Sequence, residues 1–344
     1  ILAKLAGEQE TRGIAQWVEL RKDFLREALE FHRDSVPHPI TYSRILGKAV
    51  LVQQLQQVVT LFLLSAPDAG QLAEINLDGK ALRGTISAGQ SQGRHLLAAY
   101  LPDEGIVLMQ TEVGSKENEI VAAPRLLKSI DLRGKIVTGD AMFAQRDLSR
   151  QVVEAGGDYV WSVKYNQPAL RSTIEALFEI EEGKTRLKAM SNDLTRAESL
   201  DKQHGRLEQR RITSSSMLGG QVDWPGLRQV FKIEREIEEV ATGKRRSETV
   251  YGVSSLSDKQ ADAERLLEIV RKHWQIENGL HYRKDWSLRE DYCRLRIGEA
   301  AQAMAVINNL VVGLVLRQGF KYLPDARRIY SARPLEGLKL ILRR

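Results

Sequence analysis

The sequence predicts an α/β fold with helical ends, on three observations. RHLLAAYLPDEGIVLMQTEVG (94–114) sets two apolar runs around Pro-Asp-Glu-Gly, the mark of a hairpin. KIVTGD and DYVWSVKY are short apolar strands separated by the helical RDLSRQVVEAGG, the pattern of a parallel crossover. Residues 1–68 and 299–344 instead repeat their apolar positions at helical spacing. The expected organisation is a helical N-terminal region (1–68), a mixed core (69–298) carrying a β-rich insertion at about 171–258, and a helical tail (299–344).

Taken in order, TRGIAQWVELRKDFLREALEF places Ile14, Trp17, Val18, Leu25 and Leu29 near a period of 3.6. VPHPITYSRIL then breaks and restarts, with Thr41 or Ser43 as helix cap. Helix, break and helix suit either a small DNA-binding unit or plain packing against the core. LAEINLDGKALRG is a strand with Asn76, Asp78 and Lys80 on one face and Ile75 and Leu77 on the other. ENEIVAAPRLLKSID is helical, with a Pro that restarts it. The order β-β-β-α-β-α-β joins a meander to crossover units. RLEQRRIT, VFKIERE and SETVYGVSSL alternate like strands, split by Ser, Gly and Thr-Gly-Lys turns. A long helix capped by Ser257 or Asp258 follows and runs through HWQIENGLHYRKD.

Composition excludes several classes. With 42% apolar and 28% charged residues the chain is globular, and Lys plus Arg exceed Asp plus Glu by 51 to 45, a mild net charge of +6. A single cysteine, Cys293, rules out a disulfide framework and a cysteine-based zinc site and suits a reducing cytosol. The apolar stretches 49–66 and 303–316 are interrupted by glutamines or asparagines and read as buried helices, so no membrane partner is expected. No signal peptide is visible, and an opening at Ile1 is expected to lack the start of the chain. No GxGxxG joins a strand to a helix, which disfavours a nicotinamide enzyme.

Three acidic residues stand where charge is costly. Asp78 lies on the polar face of an early strand, Asp140 ends the apolar run KIVTG, and Glu277 interrupts the stripe Ala263, Leu267, Val270, Trp274. If the strands of Asp78 and Asp140 are neighbours, their carboxylates meet and repel unless a cation neutralises them. Hard oxygen ligands with room for water and phosphate suit Mg²⁺ or Mn²⁺, and two such ions support phosphodiester cleavage. A boundary role for Glu277, reaching out to water, stays open. So does a zinc set of His273, Glu277 and His281 at i, i+4, i+8. Glu290 and Asp291 are alternatives to Glu277 as third ligand.

LDGKALRG (77–84), SKENEI (115–120), VTGDAMFAQ (137–145), GGDYVWSVKYNQPAL (156–170) and HWQIENGLHYRKDWSLRED (273–291) occur in this order. Together, and with the tail RIGEAAQAMAVINNL, they resemble insertion-sequence transposases of the DDE type, in the branch of the H-repeat-associated proteins. The resemblance implies an RNase H-like, retroviral-integrase-type catalytic core with a β insertion before its last acidic helix. It also implies excision and joining of transposon ends, with Asp78, Asp140 and Glu277 as the catalytic, metal-holding acids. Lys284, seven residues after Glu277, matches a lysine used on DNA phosphate. Two positions depart from the wider group: His273 stands where Arg is common, and Val270 where Tyr is common.

Around these acids, Lys80, Arg83, Lys116, Lys164, Arg271 and His273 read as phosphate contacts, and Asn166 and Gln167 either contact DNA or cap their strand. Trp161 stacks on an extruded base or, from its place in a strand, packs the core. Expected partners are double-stranded DNA, at transposon ends and target, and a second copy of the chain in the active complex. The expected location is the bacterial cytoplasm, on the nucleoid. Two other functions remain at this stage: a catalytically inactive or domesticated DNA-binding protein, and a nuclease of the same core without strand transfer.

Overall fold

A computed structural model describes residues 1–32, 34–64, 74–86, 88–89, 91, 93–114, 117–182, 193–203, 205–274 and 276–342. Helices α1 (Leu2–Leu5), α2 (Thr11–Glu19), α3 (Lys22–Leu29), α4 (Pro39–Arg44) and α5 (Val52–Leu64) come first. Then follow β1 (Glu74–Leu82), β2 (Arg94–Leu101), β3 (Ile106–Val113), α6 (Glu119–Leu127), β4 (Ile136–Gly139), α7 (Arg146–Glu154), β5 (Asp158–Val163) and α8 (Pro168–Glu182). Strands β6 (Thr195–Gln203), β7 (Arg206–Ser215), β8 (Gln229–Glu239) and β9 (Arg245–Ser254) precede α9 (Ala263–His273), α10 (Ala300–Arg317), α11 (Leu323–Ala332) and α12 (Pro334–Leu342). The chain divides into two compact units, Ile1–Gln71 with Gly79–Asn118 and Gln275–Arg344, and Leu72–Asp78 with Glu119–Trp274.

In the first unit, Ala3, Trp17 and Leu25 bury the apolar stripe of the N-terminal helices. The restart at 39–44 uses Pro39 at the first helical position, and His38, not Thr41 or Ser43, caps it by accepting from Ile40 N–H at 3.3 Å. Proline fixes the helical φ there and lacks the N–H that a cap would otherwise serve. β2 and β3 pair antiparallel with Leu101 opposite Ile106, and Gly105 closes their turn at φ +68°. A left-handed residue at that corner favours glycine. In this unit the strand order is β3-β2-β1. α10 is long and apolar enough to cross a membrane, but 83% of that window is buried inside the fold. Its amides are used internally: Asn309 donates to Gln110 Oε1 at 2.7 Å and Asn308 to Glu290 Oε1 at 2.9 Å.

In the second unit the strand order is β1-β4-β5-β9-β8-β7-β6. β1, β4 and β5 are parallel, whereas β5–β9, β9–β8, β8–β7 and β7–β6 pair antiparallel. The parallel centre carries fully buried Ile75, Leu77, Val137 and Trp161, as a two-sided buried strand must. Helix α9 packs Leu266, Leu267, Ile269 and Val270 over Val160, Ile212, Phe231 and Ile233. Two elements differ from expectation. α8 occupies the start of the region read as β-rich, because Leu170, Ile174, Leu177 and Phe178 repeat at helical spacing and are buried. The long helix begins later, at Ala263, where Asp262 accepts from Arg265 N–H at 2.9 Å. Ser257 instead bonds Gln260 within a preceding turn, so the better-placed aspartate takes the cap.

Candidate active site

Parallel pairing of β1 with β4 sets Asn76 opposite Thr138 and Leu77 opposite Gly139. Asp78 and Asp140 are the next residues along the two strands, which lie about 4.8 Å apart. Backbone register thus sets two aspartates at neighbouring positions where the β1–β4 pairing ends, and sites in open α/β sheets commonly lie at such ends. Gly139 is required there: a Cβ would lie 2.7 Å from the Phe143 ring and 3.0 Å from that of Trp161. Asp140 is extended and followed by a turn at Ala141–Phe143, closed by Phe143 N–H donating to Asp140 O at 2.9 Å.

That turn is clamped from the segment after β5. Asn166 donates to Ala141 O at 2.6 Å and Gln167 to Ala144 O at 2.9 Å. Both amides therefore brace the chain beside Asp140. The Asp140 side chain is 64% exposed, and His273 Nε2 lies 3.5 Å from its Oδ1. The imidazole holds the Asp140 carboxyl below its ordinary value, desolvation opposes this, and Lys164 adds a smaller downward pull.

The remaining cations differ in what they touch. Lys164 is exposed, whereas Arg271 pairs with Asp201 at 2.8 Å. His273 is the last residue of α9 and 8% exposed. In the other unit, Lys80 pairs with Asp285 and, at 3.4 Å, with Asp291, and exposed Arg83 lies 3.6 Å from Asp291. Lys284 is buried against Glu290 at 3.1 Å, the two side chains 5% and 3% exposed. Both alternatives to Glu277, Glu290 and Asp291, are thus committed to internal cations. Lys116 lies outside the described residues. Glu277 is exposed and opens a π-helical stretch, Glu277–His281. Trp161 is fully buried, stacks on Tyr159 at 5.7 Å and donates to Ser149 Oγ at 3.1 Å, so it packs the core.

Among the described residues, no three His, Cys, Asp or Glu side chains are grouped as a ready-made metal cage. The donor chemistry of Asp78 and Asp140 nonetheless suits a hard divalent cation. Mg²⁺ is commonly held by one or two carboxylates, with waters and substrate phosphates completing its shell.

Sequence reasoning passed over Thr138. It sits two residues before Asp140 on the same strand face, as Asn76 does before Asp78, and this i, i−2 relation was the available signal. Both are buried, at 2% and 0% exposure.

The family model for the transposase DDE domain matches residues 70–314. The chain belongs to that family, as its five ordered motifs implied. A relative from Escherichia coli strain K12, "H repeat-associated putative transposase YhhI", is 27% identical over 323 residues, covering 92% of this chain and 82% of the relative. The "Uncharacterized protein in dhlA 3'region" of Xanthobacter autotrophicus is 30% identical over 242 residues, 69% of this chain and 79% of that protein. Among solved structures, the piggyBac transposase synaptic complex with hairpin DNA aligns with a TM-score of 0.43 at 12% identity, over 96% of this chain and 69% of that one.

Proposed function

We propose that this chain is a metal-dependent DNA transposase that cleaves phosphodiester bonds at insertion-sequence ends and joins the freed 3′-hydroxyl to target DNA. One observation carries the reading. Asp78 and Asp140 follow directly paired residues of two adjacent parallel strands, inside the segment matched by the family. An RNase H-like core is supported by the strand orders β3-β2-β1 in one unit and β1-β4-β5 in the other.

Asp78 and Asp140, with Glu277 as third acid, would hold Mg²⁺ or Mn²⁺. Such ions, when bound, supply a Lewis acid that activates water and stabilises the leaving oxygen. The carboxylates themselves stay ionised and form no covalent intermediate. His273 and Lys164 favour the ionised form of Asp140, so that it is ready to bind a cation at neutral pH. Exposed Lys164 and Arg83, with Lys80, Lys116 and Arg271, are proposed phosphate contacts, whereas Lys284, expected from the sequence to contact phosphate, is proposed to act structurally, buried against Glu290. Asn166 and Gln167 act from behind, by holding the Asp140 turn.

The partners are then the two transposon ends and a target duplex, and synapsis of two ends calls for two copies of the chain. The setting is a bacterial cytoplasm, on the nucleoid. Incubation of the full chain with DNA carrying the ends of its own element, in Mg²⁺, is the test. The expected result is nicks at the ends and joined strand-transfer products, both absent with Asp140→Asn. Cleavage without joining would make it a nuclease only. End binding without cleavage would make it a silent DNA-binding protein.

A further inference from the structure

The helical stretch after Glu277 turns its side chains an unusual way round. Leu280, Lys284 and Ser287 are buried, whereas its two largest rings, Tyr282 and Trp286, are 57% and 75% exposed. Such rings normally dominate a core, and lysine is among the residues least often enclosed. Apolar surface left outside in this way marks a contact face. The two rings stand at i, i+4 on consecutive π turns, closed by Tyr282 N–H donating to Glu277 O and Leu288 N–H to Arg283 O. Their centroids are 6.3 Å apart and their planes 12° from parallel, so they form one stepped pair.

Cations are interleaved with this pair. Arg283 donates to Gly279 O within its own stretch and, at 3.3 Å, to Lys321 O, which ties the stretch to the start of α11. There Tyr322 is a third exposed ring, with Lys321 Nζ 5.4 Å from its centre. Among the described residues no acid pairs with Lys321. Residues 275–344 hold 13 Lys and Arg against 7 Asp and Glu, an excess of six that equals the whole chain's excess of 51 over 45. That concentration of charge decides between the partners that exposed Tyr and Trp suit. A protein interface uses the rings but is depleted in lysine. A nucleic-acid strand uses rings for its bases and cations for its phosphates. Inside an intact duplex the bases cover one another, so such rings reach them only where strands have separated or end.

We propose that Tyr282, Trp286 and Tyr322, with Arg283 and Lys321, form a stacking platform for unpaired DNA bases. The rings take base faces of any sequence, and the two cations take the phosphates that join them. The platform rests on the transposase reading only for the origin of such strands, which cleavage at the ends of an element would release.

The test titrates the full chain with a short mixed-sequence single strand and with the duplex of the same sequence, over a salt series. Fluorescence anisotropy of a labelled strand reads affinity, and quenching of a 2-aminopurine base in it reads stacking. Trp286→Ala should weaken the single strand about ten-fold and remove the quenching, with the salt slope unchanged because no charge is lost. Trp286→Phe, which keeps a ring, should recover most of both. Lys321→Met should instead lower the salt slope by about 0.7. Duplex affinity should be the same in the ring variants, and thermal melting establishes that each is folded. Wild type that binds the duplex but not the single strand overturns the platform. So does Trp286→Ala that binds and quenches the strand like wild type, and if that variant also dissociates a wild-type dimer in sedimentation, the face is a protein interface. Wild type that binds neither form sinks the DNA reading itself. Wild type that cuts element ends while Trp286→Ala holds the strand unchanged sinks the platform alone.

Discussion

Lys284 offers a sharp separation between a structural and a DNA-contacting role. Its ammonium lies 3.1 Å from Glu290 Oε2, with side-chain exposures of 5% and 3%, and Asn308 donates to the other Glu290 oxygen at 2.9 Å. Lys284→Met keeps the aliphatic length and removes the charge, leaving Glu290 buried without its ion-pair partner. Breaking a buried pair from one side costs about 3–5 kcal/mol. For a unit of this size that corresponds to a fall in melting temperature of about 6–20 °C. The double variant Lys284→Met/Glu290→Gln removes both charges and keeps an acceptor for Asn308. It should regain most of the loss, because replacing a whole buried pair is often nearly neutral. Differential scanning calorimetry of the three proteins reads the stability. DNA affinity across a salt series reads the alternative, since a lost phosphate contact lowers the salt slope by about 0.9. The structural account is refuted if Lys284→Met melts with wild type while its salt slope drops by that amount.

Three further outcomes follow from other parts of the fold. Gly139→Ala drives a methyl into Phe143 and Trp161, and overpacking of this kind should destabilise by about 1–3 kcal/mol in urea unfolding and weaken Mn²⁺ binding by displacing Asp140. Gly252→Ala meets the Phe231 ring across the β8–β9 pair, where the two residues are in register, and should destabilise the sheet without lowering metal affinity in the folded fraction. Lys4 is 2% exposed, and burial lowers its ammonium from 10.5 to about 8. Between those values the unfolded chain binds more protons, so this residue makes stability rise with pH. Lys4→Met should therefore melt above wild type at pH 7, with the gap narrowing towards pH 10; a gap constant with pH would contradict the assignment.

Much of this architecture was legible because its signals are local. The hairpin announced itself through Pro102–Gly105, the parallel strands through unbroken apolar runs, and Asp78 and Asp140 through charge at strand ends. Their adjacency followed once β1 and β4 were taken as neighbours. What escaped depends on contacts between distant segments. Thr138 looks like any β-branched strand residue until Asn76 and His273 are brought to it from 62 and 135 positions away. Lys284 reads as a surface cation until Glu290 is folded against it. The cap of α4 went to His38 because proline at the next position had already chosen where that helix starts. Asn166 and Gln167 were legible as polar residues closing a strand, but not that their amides hold the Asp140 turn.

The most direct test of the central assignment exchanges the donor atom at Asp140. In Asp140→Cys a thiolate replaces the carboxylate, and a thiolate binds Mg²⁺ poorly but accepts softer cations. Cleavage of end-bearing DNA is measured with Mg²⁺ and with Mn²⁺, for wild type and for the variant. If Asp140 holds the metal, the variant is inactive with Mg²⁺ and regains cleavage with Mn²⁺, whereas wild type works with both. Equal activity of the variant in the two metals, or loss that Mn²⁺ does not relieve in a folded protein that still binds DNA, would contradict it.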